Sequence, residues 1–303
     1  MRWRKLGLVY RPSGEFAWAK QYAHVPTPIF LESGVIRVYF AGLDAEKFGR
    51  VGFVDLDPND PTRILRETTE PVFDLGPHGA FDDSGVVPSC VVTIGGRQML
   101  YYTGWQRCER VPYMLYTGLA EIMEEGQCRR VLNVPVLDRT NAEPFLRSAP
   151  MVMKDTERFR AWYCSATGWT QVNGKPYPTY VIRHAESADG VQWSDGGPIC
   201  IPLEENEYGL ARPWVVRDPD CYRMWYSIRS HSQPYRMGYA QSVDGEDWTR
   251  MDDRVGIAAS ESGWDSEMIC YPAILDVTGQ RLMFYNGNRH GESGFGVAVL
   301  EQD

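Results

Sequence analysis

Residues 79–105 read GAFDDSGVVPSCVVTIGGRQMLYYTGW. Two carboxylates, Asp82 and Asp83, precede an apolar run through Pro88, a Gly95-Gly96 turn, and a second apolar run ending Tyr101-Tyr102-Thr103-Gly104-Trp105. Two apolar runs joined by a short glycine turn describe a β-hairpin. The figure recurs: TPIFLESGVIRVYFAG (27–42), APMVMKDTERFRAWYCSA (149–166), RPWVVRDPDCYRMWYSIR (212–229) and YPAILDVTGQRLMFYNGN (271–288) all align with VPSCVVTIGGRQMLYYTG. Pro28, Pro88, Pro150, Pro213 and Pro272 coincide in this alignment, 60, 62, 63 and 59 residues apart. A regular spacing of this size is the signature of a repeat architecture.

Two further segments, HAESADGVQW (184–193) and YAQSVDGEDW (239–248), share the pattern S-x-D-G-x-x-W, which supplies turn chemistry between a third and a fourth strand. Four strands per repeat and five repeats predict an all-β, five-bladed β-propeller of four-stranded antiparallel blades. The blades begin near residues 24, 83, 146, 208 and 267 of a single domain spanning 1–303. The last repeat stops at GFGVAVLEQD, after its third strand. The N-terminal WRKLGLVY fills the vacancy, since Trp3 lies 25 residues before Pro28, much as Trp248 lies 24 before Pro272 and Trp193 lies 20 before Pro213. Closure of this kind removes an open sheet edge. Five hairpins in a β-helix or a sandwich are the alternative and fit the long repeat less well.

At 43% hydrophobic and 23% charged residues, the chain can bury a sizeable core. The net charge of −9 and the absence of a Lys/Arg-rich run argue against a nucleic-acid partner. No apolar stretch follows Arg2, Arg4 and Lys5 as an export signal requires, and no run of about 20 apolar residues occurs. The expectation is a soluble, cytoplasmic protein with no membrane partner. Seven scattered cysteines without a CxxC pair indicate neither a disulfide framework nor a cysteine zinc site. Ten Trp and seventeen Tyr suit β-sheets and carbohydrate-binding surfaces.

In an antiparallel hairpin the start of the first strand lies beside the end of the second. Residues before each aligned proline and after each aromatic run therefore share one face around the propeller channel. The first group comprises His24, then Asp82 and Asp83, then Arg147 with Ser148, then Glu207, Tyr208 and Arg212, and finally Asp265, Glu267 and Tyr271. The second comprises Asp44, Trp105, Arg107, Trp169, Arg229 and His231, with Asn286, Asn288, Arg289 and His290 after the last run.

Glycoside cleavage needs one acid to protonate the leaving oxygen and a second carboxylate on the opposite face of the sugar. Asp83 and Glu267, each five residues before its proline, form the best pair, with Asp82, Asp265 and Glu207 competing. Capping of the turn entering the strand is the other use open to Asp82 and Asp83. Arg147, Arg212, Arg229 and Arg289 can hold phosphate or carboxylate, or pair with nearby acids. His24, His231 and His290 lack metal-ligand spacing, so neither a metal nor another cofactor is indicated. Trp105 and Trp169 can stack on a sugar ring, and Trp193 and Trp248 pack between blades. The segment ATGWTQVNGKPYPTY (166–180) lengthens the third repeat by eight residues relative to the fourth, as a lid or specificity loop would.

With these motifs in hand, the chain resembles the five-bladed glycoside hydrolases and phosphorylases of families 32, 43, 62, 68, 117 and 130. FDDSGVVPSCVVTIGGRQMLYYTGW is similar to their second-blade segment, and SADGVQW and SVDGEDW to their repeat turns. The resemblance spans all five repeats and implies the propeller fold without one activity. Family 43 hydrolases carry a base Asp before the first-blade strand, where this chain has AHVPTPIF, and an acid Glu in an entry that reads RSAP here. The standard family 43 triad is therefore not found, and the arginine-rich rim looks more like that of the family 130 phosphorylases, whose site holds phosphate. The resulting expectation is a carbohydrate-active enzyme acting on a glycosidic bond of an anionic or phosphorylated sugar, by hydrolysis or phosphorolysis. A glycosyltransferase using a nucleotide sugar and a non-catalytic carbohydrate-binding propeller are the alternatives.

Overall fold

The structure, a computed structural model, describes residues 1–302. It is all-β, and no helix among the described residues exceeds four residues or is long and apolar enough to cross a membrane. After β1 (Arg2–Tyr10) come β2 (Gln21–Phe30), β3 (Ile36–Leu43), β4 (Gly49–Asp57) and β5 (Asp60–Glu67), with β2 to β5 paired in sequence as an antiparallel meander. The next set is β6 (Gly85–Ile94), β7 (Arg97–Arg107), β8 (Tyr113–Ile122) and β9 (Cys128–Arg130). A third set holds β10 (Arg147–Asp155), β11 (Arg158–Val172), β12 (Lys175–Ser187) and β13 (Ile199–Ile201). The fourth holds β14 (Glu207–Arg217), β15 (Tyr222–Ser230), β16 (Arg236–Ser242) and β17 (Thr249–Arg250). Last come β18 (Cys270–Val277), β19 (Gln280–Asn286) and β20 (Phe295–Gln302), and β1 pairs antiparallel with β20 to complete four strands. The first strands of the sets touch in cyclic order: β2 with β6, β6 with β10, β10 with β14, β14 with β18, and β18 with β2.

A β-bulge interrupts each first strand where the ladder register slips: it spans Pro26, Pro150, Pro213 and Pro272 and directly follows Pro88. Proline has no N–H to donate, so within a sheet it sits at such irregularities. In four sets the residue before the proline is left-handed: Val25 (φ 56°), Ala149 (φ 50°), Arg212 (φ 56°) and Tyr271 (φ 56°). Each turns its N–H toward a side chain on the second strand of the preceding set. Ala149 donates to Thr103 Oγ1 (3.1 Å), Arg212 to Cys164 Sγ (3.1 Å), Tyr271 to Ser227 Oγ (2.8 Å), and Val25 to Asn286 Oδ1 (2.7 Å). The equivalent of the other four prolines in the first set is therefore Pro26, which follows Val25, and not Pro28. Ala41 occupies the acceptor position facing the second set and offers no acceptor, and Val87 there keeps a negative φ.

The S-x-D-G-x-x-W turns dock one set onto the one before. Ser187 Oγ and Asp189 Oδ1 accept N–H bonds from residues 189–192, which frees the carbonyl of Gly190 to take the Tyr101 hydroxyl. Ser242 and Asp244 repeat the arrangement, and the Gly245 carbonyl takes Trp162 Nε1 at 2.8 Å. Trp193 and Trp248 pack edge-on against Tyr101 and Trp162 across the same boundaries, as the sequence indicated.

Asn286 ties the last set to the first through two bonds, accepting from Val25 N–H and donating to the carbonyl of Ala23 (2.7 Å), and it also donates to the Gly294 carbonyl (3.0 Å) within its own set. Asn286→Ala removes the side-chain partners of the buried Val25 N–H and Ala23 carbonyl, so the unfolding free energy should fall by about 3 kcal/mol. Chemical denaturation checks this, and an unchanged midpoint would show that the two chain ends are joined by other means.

Candidate functional site

Most of the rim acids are committed to structure. Tyr102, Tyr163, Tyr226 and Tyr285 each stand on a second strand directly before its acceptor residue; all four rings are buried, and each hydroxyl donates to a carboxylate. Tyr102 donates to Asp82 (2.9 Å), Tyr163 to Glu143 (2.9 Å), Tyr226 to Asp252 (2.6 Å) and Tyr285 to Asp265 (3.0 Å). A cation completes each group: Arg130 at 2.7 Å from Asp82, Arg147 at 3.1 Å from Glu143, Arg250 at 2.6 Å from Asp252 and Lys5 at 2.7 Å from Asp265. A buried phenol needs an acceptor and a buried carboxylate needs a cation, so each set satisfies both at once. Burial, and then the neighbouring carboxylate, hold Tyr102, Tyr226 and Tyr285 well above the ordinary phenol range.

Several sequence assignments change accordingly. Asp82 is 1% exposed and belongs to one of these phenol groups, so it is not a reacting acid. Asp265 is likewise taken, and Glu207 lies against Arg250 (2.7 Å) and Arg236 (3.2 Å). Arg147, buried beside Glu143, donates to the carbonyls of Asp138 and Ser194 and is not a ligand-binding arginine. Asp44 pairs with Arg50 at 2.7 Å, and Arg107 lies over the Phe48 ring with a bond to the Glu46 carbonyl. Asn288 holds the 263–267 loop through Glu267 N–H and the Gly263 carbonyl, and Arg289 is an exposed partner of Glu292. Asp83 accepts from Gly79 N–H and the Ser84 hydroxyl, whereas the Glu267 side chain is exposed, and neither makes an ion pair.

The remaining predicted residues come together near the first strands of the sets. Here Tyr271 lies 5.1 Å from His24 and 6.4 Å from His290, ring to ring, and Tyr235 stands edge-on to His290 at 4.6 Å. Arg229 is enclosed by the rings of Tyr208 (4.6 Å), Tyr180 (4.9 Å), Tyr177 (5.5 Å) and Tyr235 (5.7 Å), measured from its guanidinium carbon. His231 packs on Tyr208 at 4.9 Å, and Trp105 and Trp169 flank Tyr113 at 4.6 and 6.2 Å. Arg212 reaches from β14 to β2, donating through Nη2 to Thr27 Oγ1 (3.0 Å) and the Pro26 carbonyl (3.4 Å). Neither Arg212 nor Arg229 has a carboxylate partner among the described residues. Among the described residues the Arg229 side chain makes no hydrogen bond, and of its nitrogens only Nε is sealed from solvent.

Burial, then the charges of His290 and Arg212, push His24 down to about 3, and burial, then Arg229, pushes His290 down to about 4. Both imidazoles are therefore neutral at pH 7, and the positive charge among these residues is that of two guanidinium groups. Sequence reasoning passed over Tyr113, Tyr177, Tyr180 and Tyr235. Tyr177 and Tyr180 belong to the flagged 166–180 segment, and Tyr113 and Tyr235 stand at the start of third strands, which open at the same end as second strands finish. Among the described residues no group of three or more His, Cys, Asp or Glu is placed to hold a metal ion.

An all-β fold of this shape is shared with glycoside hydrolases. A solved family-43 thermostable glycoside hydrolase superposes with a TM-score of 0.68 at 14% identity, over 92% of this chain and 88% of that one. The α-L-arabinofuranosidase of Lactobacillus brevis gives 0.68 at 10% identity, over 93% and 91%. A glycosyl hydrolase from Bacteroides ovatus gives 0.75 at 15% identity, over 98% and 92%. The fold is thus the all-β fold of these glycoside hydrolases. By sequence the chain is 38% identical over 302 residues to "Uncharacterized protein Rv1502" of Mycobacterium tuberculosis, covering 99% of this chain and all of that one, and it belongs to that protein's family. No protein-family profile matches the chain.

Two consequences can be measured. Asp82→Ala strands a buried phenol and an arginine, so stability should fall by about 3 kcal/mol; an unaltered melting temperature would remove Asp82 from its structural role. His24, His290 and His184, the last also lowered to about 4 by burial and then by Arg160, bind protons more weakly folded than unfolded. Stability present at pH 7 is therefore lost as pH falls from about 6.5 toward these folded values. His24→Gln should reduce the loss between pH 7 and pH 5 by about 1–2 kcal/mol, and an identical pH profile would refute the assignment.

Proposed function

We propose that the five strand sets are the blades of one propeller and that its axial recess binds an anionic sugar on whose glycosidic bond the protein acts. The observation that carries this is Arg229: a buried guanidinium with no carboxylate partner among the described residues, of its nitrogens only Nε sealed from solvent, and its faces enclosed by four tyrosines. Aromatic faces suit the apolar face of a sugar ring, and an unpaired guanidinium suits a carboxylate or phosphate on that sugar. The glycosidase-type fold supports the choice of bond. Of the acids anticipated at the rim, Asp83 and Glu267 are the two without a cation partner, and we assign them the acid and base roles.

The test uses aryl glycosides of glucuronic acid and of phosphorylated hexoses, with the neutral glucosides as controls. Wild-type protein should release the aglycone from an anionic substrate, and Asp83→Asn and Glu267→Gln should each slow release by about 100-fold or more. Arg229→Gln should raise KM for the anionic substrate and leave turnover of a neutral one unaltered. Full turnover in the double acid variant would eliminate these two acids. Thermal stabilisation by the sugars without any turnover would instead support the binding-only reading, which the commitment of Asp82, Asp265 and Glu207 to internal cations favours. Stabilisation by nucleotides and not by glycosides would move the reaction to glycosyl transfer.

A further inference from the structure

Arg212 differs from Arg229 in what surrounds it. Its side chain leaves β14 and crosses to β2, and its charge also acts on Cys90 of β6, Cys164 of β11 and Tyr271 of β18. All five sets therefore meet at this guanidinium, which places it on the channel axis. It is 2% exposed, and its Nε and Nη1 are out of contact with solvent and without an acceptor. The Nε2 of His24, within electrostatic reach of Arg212, is also sealed and unpartnered. The remaining neighbours are neutral, because burial pushes the Cys90 and Cys164 thiols up to about 12 and about 11.

We propose that Arg212 and His24 bind a small inorganic anion, a halide, as an internal ion on the axis beneath the sugar recess. A buried cation whose donors have no acceptor is costly unless a counter-charge accompanies it. Burial lowers Arg212 only to about 10, so the guanidinium stays charged at neutral pH and does not escape the cost by losing its proton. The sealing of Nη1 as well as Nε distinguishes this site from the one at Arg229, where Nε alone is sealed: the enclosed donors of Arg212 call for an ion held inside the protein. The inference is independent of the sugar assignment, since it requires no carbohydrate.

The experiment compares the full chain in sodium gluconate, chloride and bromide at equal ionic strength. Halide at tenfold excess over its Kd should raise the melting temperature by about 3 °C over gluconate. The rise should vanish in Arg212→Met and persist in Arg229→Gln. Bromide-soaked crystals should show an anomalous peak in contact with Arg212 Nε or His24 Nε2, a readout that does not depend on any variant folding. In gluconate Arg212→Met should melt no lower than wild type, because the variant removes a cation that lacks its partner. Equal melting temperatures in all three salts, with no anomalous peak, would overturn the proposal and leave water as the partner of these donors. A rise produced by phosphate or glucuronate and lost in Arg212→Met, with no halide response, would also overturn it, by showing that the axis is open to the anion of a sugar.

Discussion

The bond from a left-handed backbone N–H to a side chain on the preceding strand set is the constraint on which the rest of the molecule depends. It occurs at Val25, Ala149, Arg212 and Tyr271 and runs along the axis, where the first strands converge. Left-handed backbone at a non-glycine residue costs on the order of 1 kcal/mol, and here a buried inter-set hydrogen bond offsets it. The acceptors differ chemically: amide, hydroxyl and thiol all serve. What they share is size, since each is small enough to lie between two first strands. The one boundary lacking an acceptor, at Ala41, is also the one whose neighbour, Val87, keeps ordinary backbone. Geometry and chemistry thus vary together around the axis.

The same bulge decides which side chains enter the recess. Turning the backbone left-handed at Arg212 and Tyr271 aims these two residues at the axis, where a regular strand would have sent them between sets. The carboxylates follow the opposite logic. A large phenol on four of the five second strands, opposite glycines such as Gly118 and Gly238 in two of them, requires an acceptor. Asp82, Glu143, Asp252 and Asp265 supply it, and a cation then has to follow each of them inside. Negative charge is drawn outward into these groups, and the recess keeps the positive charge. Electrostatic asymmetry between wall and axis is therefore a by-product of how tyrosine is packed.

Hairpins, their order and the pairing of the chain ends were legible because they are written in local patterns: apolar runs, glycine turns, S-x-D-G-x-x-W and a proline every sixty residues or so. The pairing of β1 with β20 follows from counting strands, and Trp3 marks it. Most of the residues gathered around Arg229 and Arg212 were also legible. His24, Trp105, Trp169, Tyr208, Arg212, Arg229, His231, Tyr271 and His290 all lie shortly before a repeated proline or after an aromatic run, stretches that hairpin pairing brings to one end. The alignment slipped by two residues in the first set, because Pro26 and Pro28 are both prolines and only the left-handed turn at Val25 tells them apart.

Sequence by itself determined the order of the strands and their turns, which depend on near neighbours along the chain, and counting strands indicated the pairing of β1 with β20. Which charges cancel was decided only by the tertiary structure. Asp82 and Asp83 are adjacent and chemically identical, yet one meets Tyr102 and Arg130 while the other caps a turn at the rim. Arg147 lies three residues before its proline and Arg212 one before its own, yet one finds Glu143 four residues away and the other finds no carboxylate among the described residues. Partnership between charges depends on distances of a few ångströms between residues far apart in the chain, and a one-dimensional pattern does not carry such distances.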